Sequence, residues 1–426
     1  MFNPRVIYTL ALWLLLPYVF FHLFWRARRQ PEYLHHIAER FGFYSISTLK
    51  PVIWLHTVSV GETRAAASLI QRLSESYPDH QLLLTHTTPT GRAASEQLYG
   101  DKVMRVYLPY DYPFAVKRFL RHFQPCVGIL LETEIWFNLI HLCTKENTPL
   151  LLLNARLSEK SSKRYARFSK LTRQGLSELN VIAAQTEADS HRLHDLGGEK
   201  ITVMGNLKFD IEPPAPLLES GKQLRVAFGM ARKIFLAAST REGEEVLILA
   251  ALKNINVPDL LTIIVPRHPQ RFDEVAALIE RSGFKYQRRS SNEVIHAETH
   301  VVLGDSMGEM FAYYKACDVA FIGGSLLPFG AQNLIEACAV GKPVLIGPHT
   351  YNFAQATELA IESGAAQRVA DVSYMMQALQ TLFANPEQIQ KMGAAGLRFV
   401  LSNQGATDKA LALVSKAITG INAAPD

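Results

Sequence analysis

Short, wholly apolar runs, each ending in a polar turn and leading into a helical pattern, recur along most of the chain. This recurrence limits the fold more than any other feature. Residues 52–55, 81–85, 103–107, 127–131, 150–153, 181–184 and 201–204 form one series, and residues 234–238, 260–265, 301–303, 319–322 and 344–346 a second. Runs that are apolar throughout suit parallel strands covered on both faces. The expected class is α/β, with two doubly wound Rossmann-like domains facing a cleft. The proline-rich stretch 212–216 reads as a stiff connector. The chain therefore divides into 1–30, 31–210, a linker 211–225, and 226–426.

Residues 6–25 contain no Lys, Arg, Asp or Glu, and about 20 such residues suffice to cross a bilayer core. Pro17 and His22 interrupt the run, while Tyr8, Trp13, Tyr18 and Trp25 suit interfacial positions. No small-residue cleavage site comes after it, which argues against a signal peptide. The run gives way instead to Arg26-Ala27-Arg28-Arg29, against Arg5 alone on the other flank. The positive-inside rule then predicts a single amino-terminal anchor in the inner (plasma) membrane, with the remainder on the cytoplasmic face. Whether the segment spans the bilayer or lies in the interface stays open. So does the role of Arg40-Phe41-Gly42-Phe43-Tyr44, which can rest on headgroups or pack the anchor against the first domain. The four cysteines are far apart and form no CxxC pair, which argues against a disulfide framework and a cysteine-zinc site and suits a reducing compartment. Residues 1–210 carry 25 Lys+Arg against 18 Asp+Glu, and the remainder 19 against 21. The first half thus favours an anionic surface or substrate, and no nucleic-acid-binding pattern accompanies it.

In an open parallel sheet ligands bind at the carboxyl ends of the strands. His56-Thr57-Val58-Ser59-Val60-Gly61-Glu62 occupies such an end, with Glu62 in the first turn of the next helix. A carboxylate there can take a proton from a substrate hydroxyl, or it can simply cap the helix with Ser59. Glu132 and Glu134 end the fourth run and carry the same two readings. Arg156 heads a basic run through Lys160, Lys163, Arg164, Arg167, Lys170 and Arg173. Near a membrane, such a run can hold a phosphorylated lipid. In the second half, the Gly323-Gly324-Ser325 turn and the helix opening near Asn333 offer backbone N–H groups to an anion. Arg267-His268 and Met307-Gly308-Glu309 lie at neighbouring strand ends, and Glu336 could accept ribose hydroxyls. No Asp-x-Asp, HExxH, Walker or strand-coupled GxGxxG pattern is present, so the expectation is a nucleotide-sugar transferase of the GT-B kind working without a metal or other cofactor.

The landmarks Ser59-Val60-Gly61-Glu62, Thr88-Pro89-Thr90-Gly91, Tyr107-Leu108-Pro109-Tyr110-Asp111, Glu132-Thr133-Glu134-Ile135-Trp136 and Asn154-Ala155-Arg156-Leu157-Ser158 carry a family resemblance. Gly205-Asn206-Leu207-Lys208-Phe209-Asp210, Pro266-Arg267-His268-Pro269 and Gly347-Pro348-His349 extend it over essentially the whole chain. The chain resembles the 3-deoxy-D-manno-oct-2-ulosonic acid (Kdo) transferases of lipopolysaccharide synthesis. That resemblance implies CMP-Kdo as donor, a phosphorylated lipid A precursor (lipid IVA) as acceptor, and inverting, metal-free transfer. It also implies Glu62 as general base, Glu132 as a second essential acid, and Arg267, Met307, Gly308, Asn333 and Glu336 along the CMP site. The expected donor set is completed by Ser239, Thr240, Arg241, His268, Glu309, Gly324, Ser325 and Lys208. The expected acceptor set is Ser59, Gly61, Thr88, Arg156 and Arg164. One departure is clear: the family usually reads Gly-Gly-His-Asn-Pro-Leu-Glu where this chain has Gly330-Ala331-Gln332-Asn333-Leu334-Ile335-Glu336. Gln332 can replace one hydrogen bond of the histidine but cannot be cationic. A GT-B enzyme using a UDP-sugar, and a non-catalytic membrane-tethered binder of anionic lipid, are the alternative readings.

Overall fold

A computed structural model describes residues 3–422. The chain forms two compact units, one running to Asp210 and resuming at Gln404, the other spanning Ile211–Asn403. In the first unit, β1 (Val52–His56), β2 (Gln81–His86), β3 (Met104–Tyr107), β4 (Pro125–Leu131), β5 (Leu150–Ala155), β6 (Val181–Ala184) and β7 (Ile201–Val203) form one sheet. Its order is β3-β2-β1-β4-β5-β6-β7 and every pairing is parallel. The order reverses between β1 and β4, so the switch point lies between the strands that lead into Glu62 and Glu132. β1 is buried at every position. The Trp54 indole packs on Phe119 and donates to Thr85 Oγ1 at 2.8 Å. Phe119 belongs to the helix Pro113–Phe123, which buries Ala115, Val116, Phe119, Leu120 and Phe123, the stripe an amphipathic helix presents to a core.

The second sheet holds β8 (Lys233–Thr240), β9 (Leu260–Pro266), β10 (Tyr286–Arg288), β11 (Val301–Leu303), β12 (Val319–Ile322), β13 (Val344–Ile346) and β14 (Ala366–Arg368). Its order is β10-β11-β9-β8-β12-β13-β14, all parallel, with the switch between β8 and β12. β10 and β14 have no counterpart among the expected strands. Both are three-residue edge strands carrying Gln and Arg, and an edge strand need not be apolar on both faces.

The expected division of the chain needs correction at two places. Residues 211–225, read as an interdomain linker, belong largely to the helix Ala215–Phe228, which starts after Pro214 and buries Gly221, Leu224 and Phe228 in the second unit. Residues 404–422, assigned to the second domain, return to the first. There the helix Ala406–Asn422 buries Ala406, Ala410, Val414 and Ile418 with Ile53, Leu55 and Val127. A four-residue spacing keeps those side chains on one helical face. The Asp210 carboxylate fastens this return, accepting the Gly405 N–H at 2.7 Å and the Thr407 N–H.

The apolar amino-terminal segment is the helix Pro4–Ala27, with a mean hydropathy of 1.9 in its best window. It is capped by the Asn3 side chain, which accepts from the Arg5 N–H at 3.0 Å, and it is long and apolar enough to cross a membrane. One face is docked on the first unit along its length. Tyr8 donates to Asp111 Oδ2 (2.9 Å), Thr9 to Asn138 Oδ1 (3.0 Å), and Tyr112 to the Leu12 carbonyl (2.8 Å). Further along, Phe20 stacks on Phe41 at 5.4 Å, and Leu23 and Ala27 are buried. Ile7, Leu10, Leu14, Tyr18, Phe21 and Trp25 face outward, Leu14 being 83% exposed. Of residues 40–44, Arg40 is only 3% exposed and Phe41 packs on the helix, while Phe43 is 55% exposed.

Candidate active site

At the switch point of the first sheet, the turn after β1 and the turn after β4 bring three carboxylates into one electrostatic neighbourhood. Ser59 caps the helix Val60–Ala65, its Oγ accepting from the Glu62 N–H at 3.2 Å and donating to Glu62 Oε1 at 2.8 Å. Glu62 Oε2 accepts from the Val58 N–H at 2.7 Å. The capping role weighed for Glu62 is therefore present, and each oxygen keeps a second lone pair for a further donor. Burial raises the Glu62 pKa, and so does the charge of Glu132, against the bonds from Val58 and Ser59 and the charge of Lys208. Glu132 has a left-handed backbone (φ 61°), a conformation rare for non-glycine residues and often found at functional turns. Its Oε1 pairs with Lys208 Nζ at 3.4 Å.

Glu134, two residues on, feels both Glu62 and Glu132. Burial, with those two charges adding, pushes its carboxyl up to about 7, opposed by the Trp136 indole N–H at 2.8 Å. His56, fully buried, approaches Glu134 Oε2 with Nε2 at 3.9 Å. Burial holds the imidazole down to about 3. Its Nδ1 lies 3.0 Å from the Thr85 carbonyl, so the neutral tautomer carries its proton there and leaves Nε2 as an acceptor. Glu134 carries the same two readings as Glu132 but is not in the expected catalytic pair, and His56 has no expected role of its own. They are joined by the pairing of β1 with β4, which no local pattern reveals.

The expected acceptor residues are distributed unevenly around this point. Ser59 and Gly61 form the cap itself, Gly61 being exposed. Thr88 is committed to the fold, its hydroxyl donating to the Val58 carbonyl (3.0 Å) and accepting from the Gly91 N–H (3.1 Å). The Arg156 carbonyl accepts the hydroxyl of Thr133, placing Arg156 beside the Glu132–Glu134 turn. Arg164 lies on the exposed helix Glu159–Ala166.

In the second unit, the ends of β8 and β12 meet at the other switch point. Gly323 needs its missing side chain: a Cβ would come 2.4 Å from the Ser239 carbonyl. The anion nest expected at Gly323-Gly324-Ser325 is already filled. The buried Glu244 carboxylate takes the N–H groups of Gly324 (2.6 Å), Leu326 (3.0 Å) and Arg241 (2.9 Å). Thr240 and Ser325, expected at the donor, are fully buried. Thr240 donates to Glu245 (2.7 Å), and Ser325 bridges the Ile322 carbonyl and the Gly347 N–H. Both act as supports beneath the surface, and Ser239 above them has φ 55°.

Two of the more accessible residues expected at the donor are arginines. Arg241 stacks over Phe329 at 4.4 Å, and Arg267 Nε donates to Gln332 Oε1 at 3.1 Å. At its departure from the family pattern, Gln332 thus offers the arginine a neutral amide oxygen as acceptor. Burial and the charges of Arg241, Arg267 and Arg271 lower the His268 pKa, with Glu242 opposing. This is a local field that attracts an anion. Asn333 caps Ile335 N–H (3.0 Å) and donates to Glu336 Oε1 (3.3 Å). Met307 is 52% exposed and Gly308 has φ 82° with nothing near its Cβ position. Glu309 is held by Arg289 (3.0 Å) and Ser306 (2.5 Å). Lys208 belongs to the first unit, on Glu132. Among the described residues no group of three His, Cys, Asp or Glu side chains is disposed to hold a metal ion.

Residues 35–211 match the family described as 3-deoxy-D-manno-octulosonic-acid transferase (kdotransferase). The 3-deoxy-D-manno-octulosonic acid transferase of Bordetella pertussis is 40% identical over 96% of this chain and 98% of its own length. The corresponding protein of Haemophilus influenzae is 36% identical over 96% and 98%. Among solved structures, a glycosyltransferase from Rickettsia africae has a TM-score of 0.57 at 15% identity, covering 87% of this chain and 99% of that one. A UDP-GlcNAc 2-epimerase from Neisseria meningitidis has 0.57 at 16%, covering 86% and 100%. At such identities the likeness is one of fold, and that fold is GT-B. Near-full-length identity to two transferases of one kind decides the family: the chain belongs to the 3-deoxy-D-manno-octulosonic acid (Kdo) transferases, and is a glycosyltransferase.

Proposed function

We propose that the protein moves Kdo from CMP-Kdo to a hydroxyl of lipid IVA, by inverting displacement without a metal, with Glu62 as general base. The observation that carries this reading is the convergence of Glu62, Glu132 and Glu134 with Lys208 at one switch point. The acceptor hydroxyl attacks the anomeric carbon as the bond to CMP breaks, and its proton passes to Glu62. A base whose pKa is raised holds that proton more readily. Lys208 pairs with Glu132 beside it at 3.4 Å, and the Arg241, Arg267 and His268 group supports the negative charge of the departing CMP. Asn333 and Glu336 are proposed to take the ribose.

In this reading the helix Pro4–Ala27 holds the enzyme at the cytoplasmic face of the inner membrane. Its docking from Tyr8 to Leu23 supports a helix lying in the interface, with Leu10, Leu14 and Phe21 in lipid. The exposed basic helix Glu159–Ala166 would then meet anionic headgroups. The test is direct. Purified enzyme with CMP-Kdo and tetra-acylated lipid A precursor should yield a product heavier by whole Kdo residues. Transfer from a UDP-sugar, with none from CMP-Kdo, would overturn the reading.

A further inference from the structure

A cavity of about 220 Å³ lies inside the first unit, between the docked amino-terminal helix and the body. It has room for a headgroup fragment and not for a whole lipid. Its walls include His22 and Arg26 from the last turns of the helix, with Tyr33, Arg40, Tyr110 and Trp136 from the body.

Arg40 is the unusual member. It is 3% exposed, yet its Nε and Nη2 have no hydrogen-bond partner among the described residues. Only Nη1 is engaged, donating to the Thr87 carbonyl at 3.1 Å. The Tyr107 ring covers one face of the guanidinium at 4.0 Å, but stacking leaves the N–H edge unsatisfied. The Tyr110 phenol, whose pKa burial raises, is pulled back by the charge of Arg40 and by a side-chain hydrogen bond from it, a contact too loose in geometry to satisfy Nε or Nη2. The nearest carboxylate in sequence, Glu39, is taken by Arg92 (2.9 Å) and the Tyr107 N–H (2.7 Å). A buried cation without a counter-charge is costly, and water in the cavity would satisfy its donors without neutralising it.

We propose that this cavity receives the phosphate of a membrane lipid, held by the Nε–Nη2 edge of Arg40 with Arg26 as the second cation. A guanidinium edge matches two phosphate oxygens at once. Arg26, Arg28 and Arg29 end the apolar helix where headgroups begin, so the phosphate arrives on a lipid. The aromatic walls suit the glycerol or sugar that carries it. The site rests on the membrane attachment proposed above and on neither the donor nor the transferred sugar, so it is tested by binding alone.

The full chain in neutral detergent is titrated with dihexanoyl phosphatidic acid, dihexanoylglycerol and inorganic phosphate. Phosphatidic acid should bind at least tenfold tighter than the other two. Arg40→Gln should abolish that preference and Arg40→Lys should keep part of it. Arg26→Gln, at an exposed position that leaves folding intact, should weaken it severalfold. Arg29→Gln, whose guanidinium rests on Trp25, should leave it unchanged. Equal binding of the two lipids overturns the proposal, as does inorganic phosphate binding as tightly as the lipid. So does an equal loss in Arg29→Gln, which would mean diffuse charge, or wild-type binding by both Arg26→Gln and Arg40→Lys.

Discussion

Both carboxylate oxygens of Glu62 hold the turn that positions them, so one substitution should have two readouts. Glu62→Gln puts an amide N–H₂ against either the Val58 N–H or the Ser59 hydroxyl. The cap then weakens by about 1 kcal/mol, visible as a small drop in Tm. Turnover should fall by roughly 10²–10⁴ if Glu62 takes the proton. A folded variant with near wild-type kcat would move the role to Glu132 or Glu134. Glu134 makes a separate prediction. Its folded pKa of about 7 lies above the unfolded value, so the native state binds more protons between the two. Stability therefore falls as pH rises from about 4.5 to 7. Glu134→Gln should remove that slope and gain on the order of 1–3 kcal/mol at pH 8, with little change at pH 4. Identical pH–stability curves would show Glu134 to be ordinarily ionised. Glu62 was legible in the chain because strand, turn and cap are contiguous. The approach of His56 to Glu134 was not, because it crosses two strands about seventy residues apart.

Among the elements, the junction of β8 with its following helix depends on one buried ion pair. Arg271 reaches both oxygens of Glu245 at 2.8 and 3.0 Å, and Thr240 donates to the same carboxylate. Glu245 is fully buried and Arg271 is 7% exposed. Glu245→Ala leaves the guanidinium only the longer, more exposed pair with Glu274 (3.4 Å) and should cost about 3 kcal/mol, whereas Glu245→Leu with Arg271→Met should recover most of it. The denaturant midpoint of the full chain reports both, and an unshifted midpoint for Glu245→Ala would exclude the pair from stability. The strands between these junctions were readable as apolar runs. β10 and β14 were not, since polar edge positions look like loop, and the Gly323-Gly324 nest looked vacant because its occupant, Glu244, comes from a different turn.

For the whole molecule, the amino-terminal helix is the part whose role changes most. As an anchor appended to a finished domain, it could be removed without consequence to the body. Its contacts with Asp111, Tyr112, Asn138 and Phe41 say otherwise. Removing residues 1–27 should lose at least two hydrogen bonds of about 1 kcal/mol each. With 2–4 °C per kcal/mol for a unit of this size, Tm should drop by about 4–8 °C or more. An unchanged Tm in detergent would mean that the helix is not docked in solution. The order of the domains was legible from the strand series, but the return of the last helix was not: its Ala406, Ala410, Val414 and Ile418 mark an apolar face without naming the sheet it covers. That return also has a genetic meaning. Asp210 grips Gly405 and Thr407, so the second unit leaves and rejoins the first at adjacent points. Residues 211–403 are a cassette, open to exchange between relatives as one uninterrupted block that keeps every strand of the first sheet and its closing helix in place.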